Sequence, residues 1–220
     1  MNFRFTNRTG GVSTGAFASL NLGSHVGDQL SDVLRNRQII AESVGEIQFM
    51  KQVHGDRVAI IESIIEDEPT ADALITGIPG INLAVQVADC IPLLLSSPEA
   101  VAAVHVGRKG LVNDISRKTL GIMRDMGATS IQALMGPSIC GKCYEVSEDI
   151  YSEVVELHPL SASRTRAKTF ALDLPAALRE VLNSEGVEII DHAICTVENQ
   201  ELFSYRRDAI TGRQAGFICL

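Results

Sequence analysis

Apolar residues follow two patterns along this chain, one typical of helices and one typical of strands, and the strand pattern occurs more often. Apolar positions three to four residues apart predict helices, whereas short alternating or wholly apolar runs bounded by Gly, Pro or acidic residues predict strands. The predicted helices cover residues 28–44, 111–126, 147–157 and 174–183. The predicted strands cover residues 3–8, 47–53, 57–61, 73–76, 83–87, 92–96, 101–106, 131–135, 189–197, 202–206 and 214–218.

This order of elements predicts the fold class. Strands outnumber helices, and the helices come singly between groups of strands, which favours an α+β protein with mixed sheets over a regular βαβ array. The 220 residues suffice for one domain with a sizeable core, so we expect a single domain over residues 1–220. Residues 161–166 are predicted to form a surface loop at most.

Composition narrows the classes of function. A net charge of −8 argues against broad binding to nucleic acid or to anionic membranes, although a local basic pocket for a small anion stays compatible with it. No apolar stretch approaches the length of a membrane span, and the first residues lack the apolar core of a signal peptide. We therefore expect a cytoplasmic protein, in which the five cysteines are free thiols or ligands.

Three residues at the ends of predicted strands carry the candidate chemistry: His54, Cys90 and His105. Imidazole nitrogen and thiolate sulfur are good zinc ligands, and three protein ligands would leave one coordination position open for chemistry. Each residue alone is more often an ordinary core or surface side chain. Because they are far apart in the sequence, spacing leaves the metal site a suggestion.

A second motif is Cys140-Gly141-Lys142-Cys143, a CxxC sequence. Such a pair is typical of a redox site or of half a zinc site, but no second CxxC accompanies it. Its plainest interpretation is two half-buried thiols at a turn. His25, beside a glycine turn, is a further histidine that can approach the candidate site.

Several segments together resemble the YfiH-like family, whose members are also called laccase-domain or multicopper polyphenol oxidase-like proteins. The resemblance follows one order along nearly the whole chain. Its main segments are Asn7-Arg8-Thr9-Gly10-Gly11, Ser19-Leu20-Asn21-Leu22-Gly23, Lys51-Gln52-Val53-His54-Gly55, Ala71-Asp72-Ala73, Ala88-Asp89-Cys90-Ile91-Pro92, Ala102-Ala103-Val104-His105, Gly136-Pro137-Ser138, Cys143-Tyr144-Glu145-Val146 and Phe203-Ser204-Tyr205-Arg206-Arg207-Asp208.

The resemblance implies a four-layer α/β/β/α fold with mixed sheets and a zinc ion held by His54, Cys90 and His105. It also implies phosphorolysis of adenosine, inosine and methylthioadenosine to the free base and ribose 1-phosphate, together with deamination of adenosine. Purine nucleosides and phosphate are then the partners. Copper is the weaker cofactor, because multinuclear copper sites need more histidines than the five in this chain.

We assign further roles around the three candidate ligands. Asp89, beside Cys90, is the candidate for moving a proton or orienting a ligand, and Lys51 is the second catalytic candidate. Lys51, Arg8 and Arg206 are also candidates for holding phosphate. The candidate substrate contacts are Arg8, Asn21, Gln52 and Arg206.

Two departures from the family pattern leave alternatives open. Arg108 stands where the family commonly has Trp, so a base-stacking wall is replaced by a cation. Cys140-Gly141-Lys142-Cys143 also departs from the family's Gly-Pro-Cys-Cys before Tyr144. The alternatives are a metal-free cysteine hydrolase or deamidase, with Cys90 as nucleophile and His105 as base, a copper-dependent polyphenol oxidase, and a binding module that shares only the fold.

Overall fold

The computed structural model describes residues 2–192 and 194–220, which contain twelve strands and six α-helices. The strands are β1 (Asn2–Phe5), β2 (Ile47–Gln48), β3 (Val58–Ile60), β4 (Ala73–Thr76), β5 (Asn82–Val87), β6 (Ile91–Ser96), β7 (Val101–Val106), β8 (Gln132–Met135), β9 (Ala162–Arg164), β10 (Phe170–Leu172), β11 (Glu188–Asp191) and β12 (Gln214–Cys219). The helices are α1 (Leu30–Val44), α2 (Arg108–Val112), α3 (Ile115–Asp125), α4 (Glu148–Leu157), α5 (Leu174–Ser184) and α6 (Tyr205–Asp208).

The strands form two mixed sheets and one small antiparallel pair. The first sheet has the order β1-β12-β5-β2, with β12 antiparallel to both of its neighbours and β2 parallel to β5. The second has the order β11-β8-β6-β7-β4-β3 and is parallel only at its two outer pairs. Strands β9 and β10 pair separately.

Alternation along the buried strands shows how the layers stack. On β7, Ala103 packs between the two sheets, whereas Val104 packs into the cluster that contains helices α3 and α5. On β5, Val85 faces the other sheet and Ala84 packs with Ile40 of α1. Successive strand residues point to opposite faces, so both sheets are covered on both sides. The order α1, first sheet, second sheet, outer helices confirms the predicted α+β class and its α/β/β/α layers.

The helix predicted over 111–126 is in fact two helices. The first starts at Arg108, and Asp114 adopts a left-handed backbone conformation, φ 57°, that interrupts the helical path before α3 begins. Local backbone geometry at a single residue thus divides what the apolar spacing predicts as one element.

The strand predicted over 202–206 is wrong, because residues 202–204 belong to no strand and α6 begins at Tyr205. The Oγ of Ser204 accepts a hydrogen bond from the backbone N–H of Arg207, which is the arrangement of a helix N-cap. Phe203 is buried, as a strand residue would be, but it belongs to no strand in the described residues. The cap at Ser204, and not the apolar pattern, therefore decides the conformation of this segment.

Further boundaries differ from prediction. The predicted strands 3–8, 47–53 and 189–197 end early, at Phe5, Gln48 and Asp191, and residue 193 of the last prediction lies outside the described residues. The segment 161–166, predicted as a loop, contains β9, which pairs with β10 through a turn closed by the Lys168 N–H to Thr165 carbonyl bond. No helix in the described part of the chain has both the length and the apolar character needed to cross a bilayer.

Candidate metal centre and its cavity

The three candidate ligands meet at one end of the second sheet. Cys90 directly precedes β6 and His105 lies near the end of β7, and these strands pair with Pro92 opposite His105. His54 comes from the loop between β2 and β3. The ligand atoms all lie within 4.8 Å of one another, and Cys90 Sγ is 3.9 Å from His54 Nε2. The structure therefore assembles the triad that spacing alone left as a suggestion.

The backbone around the triad is shaped for close approach. His54 and Asp89, the residue before Cys90, have φ values of 58° and 98°, in the region that side chains other than Gly rarely adopt. Strained backbone of this kind clusters at functional sites. Gly107 is required for space, because a Cβ there would lie 2.9 Å from Cys90 Sγ and 3.3 Å from His54 Cδ2.

Asp72 is the side chain that fixes the triad, and it is not among the residues predicted for the site. Its Oδ1 lies 2.8 Å from His105 Nδ1, which leaves Nε2 as the imidazole nitrogen available to a metal ion. The same carboxylate accepts hydrogen bonds from the backbone N–H groups of Val53, His54 and Gly55. One fully buried carboxylate thus orients two of the three ligand segments.

A signal for Asp72 does exist in the sequence. The residue directly precedes β4, Ala73–Thr76, all four residues of which are buried. An acidic residue next to a wholly apolar strand is costly to bury unless it is paired, so its position indicates a partner. The identity of that partner depends on the pairing of β4 with β7, which local pattern does not give.

Charge in the triad is arranged as for a cation-binding site. Burial opposes ionisation of the Cys90 thiol, but the adjacent His105 and His54 outweigh it and lower the pKa of Cys90 to about 6. Burial likewise opposes charge on His105, yet Cys90 and Asp72 raise its pKa to about 9. The pKa of Asp72 is lowered, because hydrogen bonds from His105 and Gly55 overcome its burial. The Cys90 thiolate thus lies beside a protonated His105. A metal ion bound by the two residues would take the place of the imidazole proton.

The triad lies at one wall of a cavity of 490 Å³, within the usual range of small-molecule sites. Basic side chains form part of its lining, and two tyrosines and His25 form another part. The cations are Arg108, Lys109, Arg206 and Arg213, and the tyrosines are Tyr144 and Tyr205. A strongly acidic chain thus carries a local basic pocket, as the sequence analysis allowed.

Three of the predicted site residues outside the triad line this cavity: Asp89, Gln52 and Arg206. The Asp89 carboxylate accepts hydrogen bonds from Thr196 Oγ1, Ser204 Oγ and the Arg206 N–H, at 2.6, 2.7 and 2.6 Å. The Gln52 amide is engaged at both ends with the backbone of Gln86. These contacts hold the cavity wall together.

The other three lie outside the residues that line the cavity. Lys51 is exposed and pairs through its backbone with Thr70. The Arg8 Nε donates to the Ala18 carbonyl, and its guanidinium lies over the Phe203 ring. Asn21 is fully buried and accepts a hydrogen bond from the backbone N–H of Arg213, which itself lines the cavity.

The donor set fits a metal ion. Two imidazoles and one thiolate within 4.8 Å are the nitrogen and sulfur ligands that zinc prefers, and Asp72 supplies the carboxylate partner that ligating histidines usually have. The fold and the site together define a four-layer α/β protein with a candidate metal-ligand triad in a basic, ligand-sized cavity.

The chain belongs to the family described as multi-copper polyphenol oxidoreductase laccase, whose model matches residues 2–220. It is 43% identical to a purine nucleoside phosphorylase of Corynebacterium glutamicum, with 98% of this chain and 93% of that protein aligned. Its fold is similar to the crystal structure of protein NMB0706 from Neisseria meningitidis, with a TM-score of 0.91, 35% identity, and coverage of 99% and 93%. The hypothetical protein YfiH of Bacillus licheniformis gives a TM-score of 0.90 at 29% identity, with coverage of 98% and 91%. These likenesses confirm the resemblance found in the sequence.

Proposed function

We propose that this protein is a zinc-dependent purine nucleoside phosphorylase, which converts adenosine, inosine or methylthioadenosine and phosphate into the free base and a ribose 1-phosphate. The observation that carries the proposal is one cavity in which a metal-ligand triad faces four cationic side chains and two tyrosines. The Corynebacterium relative, which is 43% identical and is named a purine nucleoside phosphorylase, supports the same activity.

His54, Cys90 and His105 would hold the zinc ion. Zinc at a site with an open position acts as a Lewis acid toward an oxygen or nitrogen of the bound substrate or water. Copper is a weaker fit, because a multinuclear centre needs more imidazoles than the two that the triad contains. A single cytoplasmic domain over residues 1–220 is part of the same proposal.

The phosphate would bind among the cations of the cavity. Arg213 is more deeply placed than Lys109, and its Nη1 is held by the carbonyls of Thr211 and Gly212, which directs the rest of the guanidinium. Arg108 stands directly after Gly107, next to the triad. Guanidinium groups bind phosphate through paired, charge-assisted hydrogen bonds. The substrate roles that we give to Arg108 and Arg213 replace those expected for Lys51 and Arg8, which lie off the cavity lining.

The purine would lie against the tyrosines. Burial, reinforced by the nearby Cys90, raises the pKa of Tyr144, so its hydroxyl remains a hydrogen-bond donor at neutral pH. Burial and the neighbouring Arg213 lower the pKa of His25, so its imidazole is neutral and can accept a hydrogen bond from a ribose hydroxyl. An aromatic wall is therefore present although Arg108 replaces the family Trp.

In phosphorolysis, a phosphate oxygen forms a bond to the anomeric carbon as the bond from that carbon to the base nitrogen breaks. The departing base keeps the electron pair and gains a proton at a ring nitrogen. Tyr144 is the hydrogen-bond donor that we assign to a ring nitrogen of the departing base, since burial raises the pKa of its hydroxyl and it keeps its proton at neutral pH. The proton that the base gains comes from the hydrogen phosphate nucleophile or from water. Asp89 keeps α6 and Arg206 in place through its three hydrogen bonds, which makes it a positioning residue in this scheme.

Adenosine deamination is a second candidate activity at the same site. The triad provides three ligands in one corner of the cavity, which leaves a coordination position for water beside the substrate. This activity needs no phosphate, so it is separable from phosphorolysis by leaving phosphate out of the assay.

The decisive experiment incubates untagged, zinc-loaded protein with adenosine, inosine or methylthioadenosine, with and without phosphate. We expect free base and ribose 1-phosphate only when phosphate is present, and inosine from adenosine in either case. Cys90→Ala should abolish all turnover, whereas Cys219→Ala, a buried cysteine on β12, should keep it. Phosphorolysis by metal-free Cys90→Ala protein would overturn the assignment, and hydrolysis that needs Cys90 but no metal would favour a cysteine hydrolase.

A further inference from the structure

Three thiols meet at a second place, outside the cavity lining. Cys140 and Cys143 lie in the turn after Gly136-Pro137, and Cys195 lies in the segment that follows β11. Their sulfur atoms lie within 4.8 Å of one another. The CxxC motif therefore has a third cysteine as a partner, supplied from more than fifty residues further along the chain.

The backbone fixes this meeting point. Ser138 and Cys195 form a parallel bridge, with hydrogen bonds from Ser138 N to the Ile194 carbonyl and from Thr196 N to the Ser138 carbonyl. The turn itself is closed by the Cys143 N–H, which donates to the Cys140 carbonyl at 3.0 Å. Two separate segments are thus paired so that all three side chains face one point.

We propose that Cys140, Cys143 and Cys195 form a second metal site, which holds a zinc ion in a structural role. Zinc binds thiolate sulfur at about 2.3 Å, which places tetrahedral sulfur ligands about 3.8 Å apart, and the three thiols meet that requirement within the 4.8 Å that bounds their separations. Glu198 is the fourth ligand that we assign: its Oε1 lies 3.7 Å from Cys143 Sγ, and it would have to move toward Cys140 and Cys195, since only the three thiols lie within 4.8 Å of one another. With it the site would have four protein ligands, as closed structural zinc sites have.

Charge around the cluster agrees with a bound divalent cation. Three thiolates and one carboxylate around Zn²⁺ leave a formal charge of −2. Arg166 donates to Glu198 Oε1, and Lys142 lies within the turn between the two cysteines. Arg166 through its ion pair with Glu198, and Lys142 by its place between the two cysteines, would partly offset that charge.

The site would stiffen the wall of the neighbouring cavity. The backbone N–H of Ile139, next to Cys140, donates to the Asp89 carbonyl, and Thr196, next to Cys195, donates to the Asp89 carboxylate. Tyr144 follows Cys143 directly and lines the cavity. Zinc bound here therefore links the two segments that hold Asp89 and Tyr144 in position.

The test counts zinc in untagged protein by elemental analysis. We expect two equivalents in the wild type, one in Cys195→Ser, one in Cys90→Ala and two in Cys219→Ser, whose cysteine belongs to neither cluster. A Cys195→Ser protein with as much zinc as the wild type would overturn the proposal. Since the two sites lose zinc through different variants, failure of the catalytic metal is distinguishable from failure of this one.

A second measurement needs no variant. Alkylation of native wild-type protein, read out by peptide mass spectrometry, should leave Cys140, Cys143 and Cys195 unmodified until a chelator is added. Prompt alkylation of all three before chelation would contradict the proposal. A Cys140–Cys143 disulfide in freshly purified protein would also overturn it and would favour a redox role for the CxxC turn.

Discussion

Asp72 and His105 form a buried pair in which the carboxylate Oδ1 lies 2.8 Å from the imidazole Nδ1. The same two residues are also joined through the backbone, because the His105 N–H donates to the Asp72 carbonyl. Asp72 therefore sets both the position and the orientation of His105. Asp72, whose carboxylate orients the triad, directly precedes β4 and lies outside the segments that carry the three candidate ligands.

Replacing Asp72 with Asn should weaken zinc binding without removing a ligand. The amide cannot offer two anionic oxygens to His105 and to three backbone N–H groups, so ligand orientation and basicity both fall. We expect a loss of about 10- to 100-fold in zinc affinity, measured by competition with a chelator. Asp125→Asn, at an exposed position at the end of α3, is the control. Equal affinity in both variants would contradict this role.

Gly107→Ala tests the space beside the triad. Gly107 has φ −89°, which Ala adopts without strain, so any effect arises from the new Cβ at 2.9 Å from Cys90 Sγ. We expect loss of zinc and of turnover in a protein with a normal circular dichroism spectrum. Gly121→Ala makes the matched control, because a Cβ there meets nothing within 4 Å and a helical Gly→Ala change stabilises by about 0.5–1 kcal/mol. Full zinc retention in Gly107→Ala would disprove the steric argument.

Arg108→Gln separates phosphate binding from nucleoside binding. Loss of a charge-assisted hydrogen bond costs about 1.5–3 kcal/mol, so the KM for phosphate should rise roughly 10- to 100-fold while the KM for inosine stays within a few-fold. Arg35→Gln, which removes an exposed cation of α1, should change neither value. A selective rise in the nucleoside KM would instead place Arg108 at the base or ribose.

Metal-free protein should show an unusually reactive Cys90. Since His105 and His54 lower its pKa to about 6, the thiolate fraction, and with it the rate of alkylation by iodoacetamide, should rise through pH 6 and level off near pH 7. An ordinary thiol would still be gaining rate at pH 8.5. Added zinc should suppress the reaction. A rate that keeps rising above pH 8 would refute the ion pair.

Glu185 gives a pH-dependent contribution to stability far from the cavity. Hydrogen bonds from Arg124 and Arg117 lower its pKa in the folded state, so the stabilisation is present above the pKa of the unfolded chain and is lost as pH falls through the folded value. Glu185→Gln should lose roughly 1 kcal/mol in urea unfolding at pH 7, and the difference from wild type should shrink steadily as the pH falls below the ordinary glutamate pKa of about 4.3. A difference that does not change with pH would point to packing instead of charge.

The sequence predicted the layers of this fold well where strands are buried on both faces. The runs at Ala73–Thr76 and Val101–Val106 are found with the predicted bounds, because a continuous apolar run next to turn residues has few other solutions in a strand-rich chain. Tyr205–Asp208 shows the limit: the Ser204 cap decides that segment, and its signal is a single hydroxyl.

The site was less accessible from the sequence than the fold. His54, Cys90 and His105 were identified as candidates, and their meeting depends on the pairing of β6 with β7. Asp72 and the meeting of Cys195 with the CxxC turn both depend on contacts between distant segments, which no local pattern encodes. The cations could be counted in the sequence, but which of them face the cavity is decided by three-dimensional packing.

Strand β12 lies between β1 and β5, although it follows every other described strand in the sequence. A growing chain carries all three triad residues once residue 105 has been added, yet the first sheet lacks its internal strand until residues 214–219 emerge. Pairing of Asn2 with Cys219 closes a loop of nearly the whole described chain, and contacts so distant in sequence form slowly. During synthesis the ligands thus precede, by about a hundred residues, the strand that completes the first sheet and the Arg213 side of the cavity.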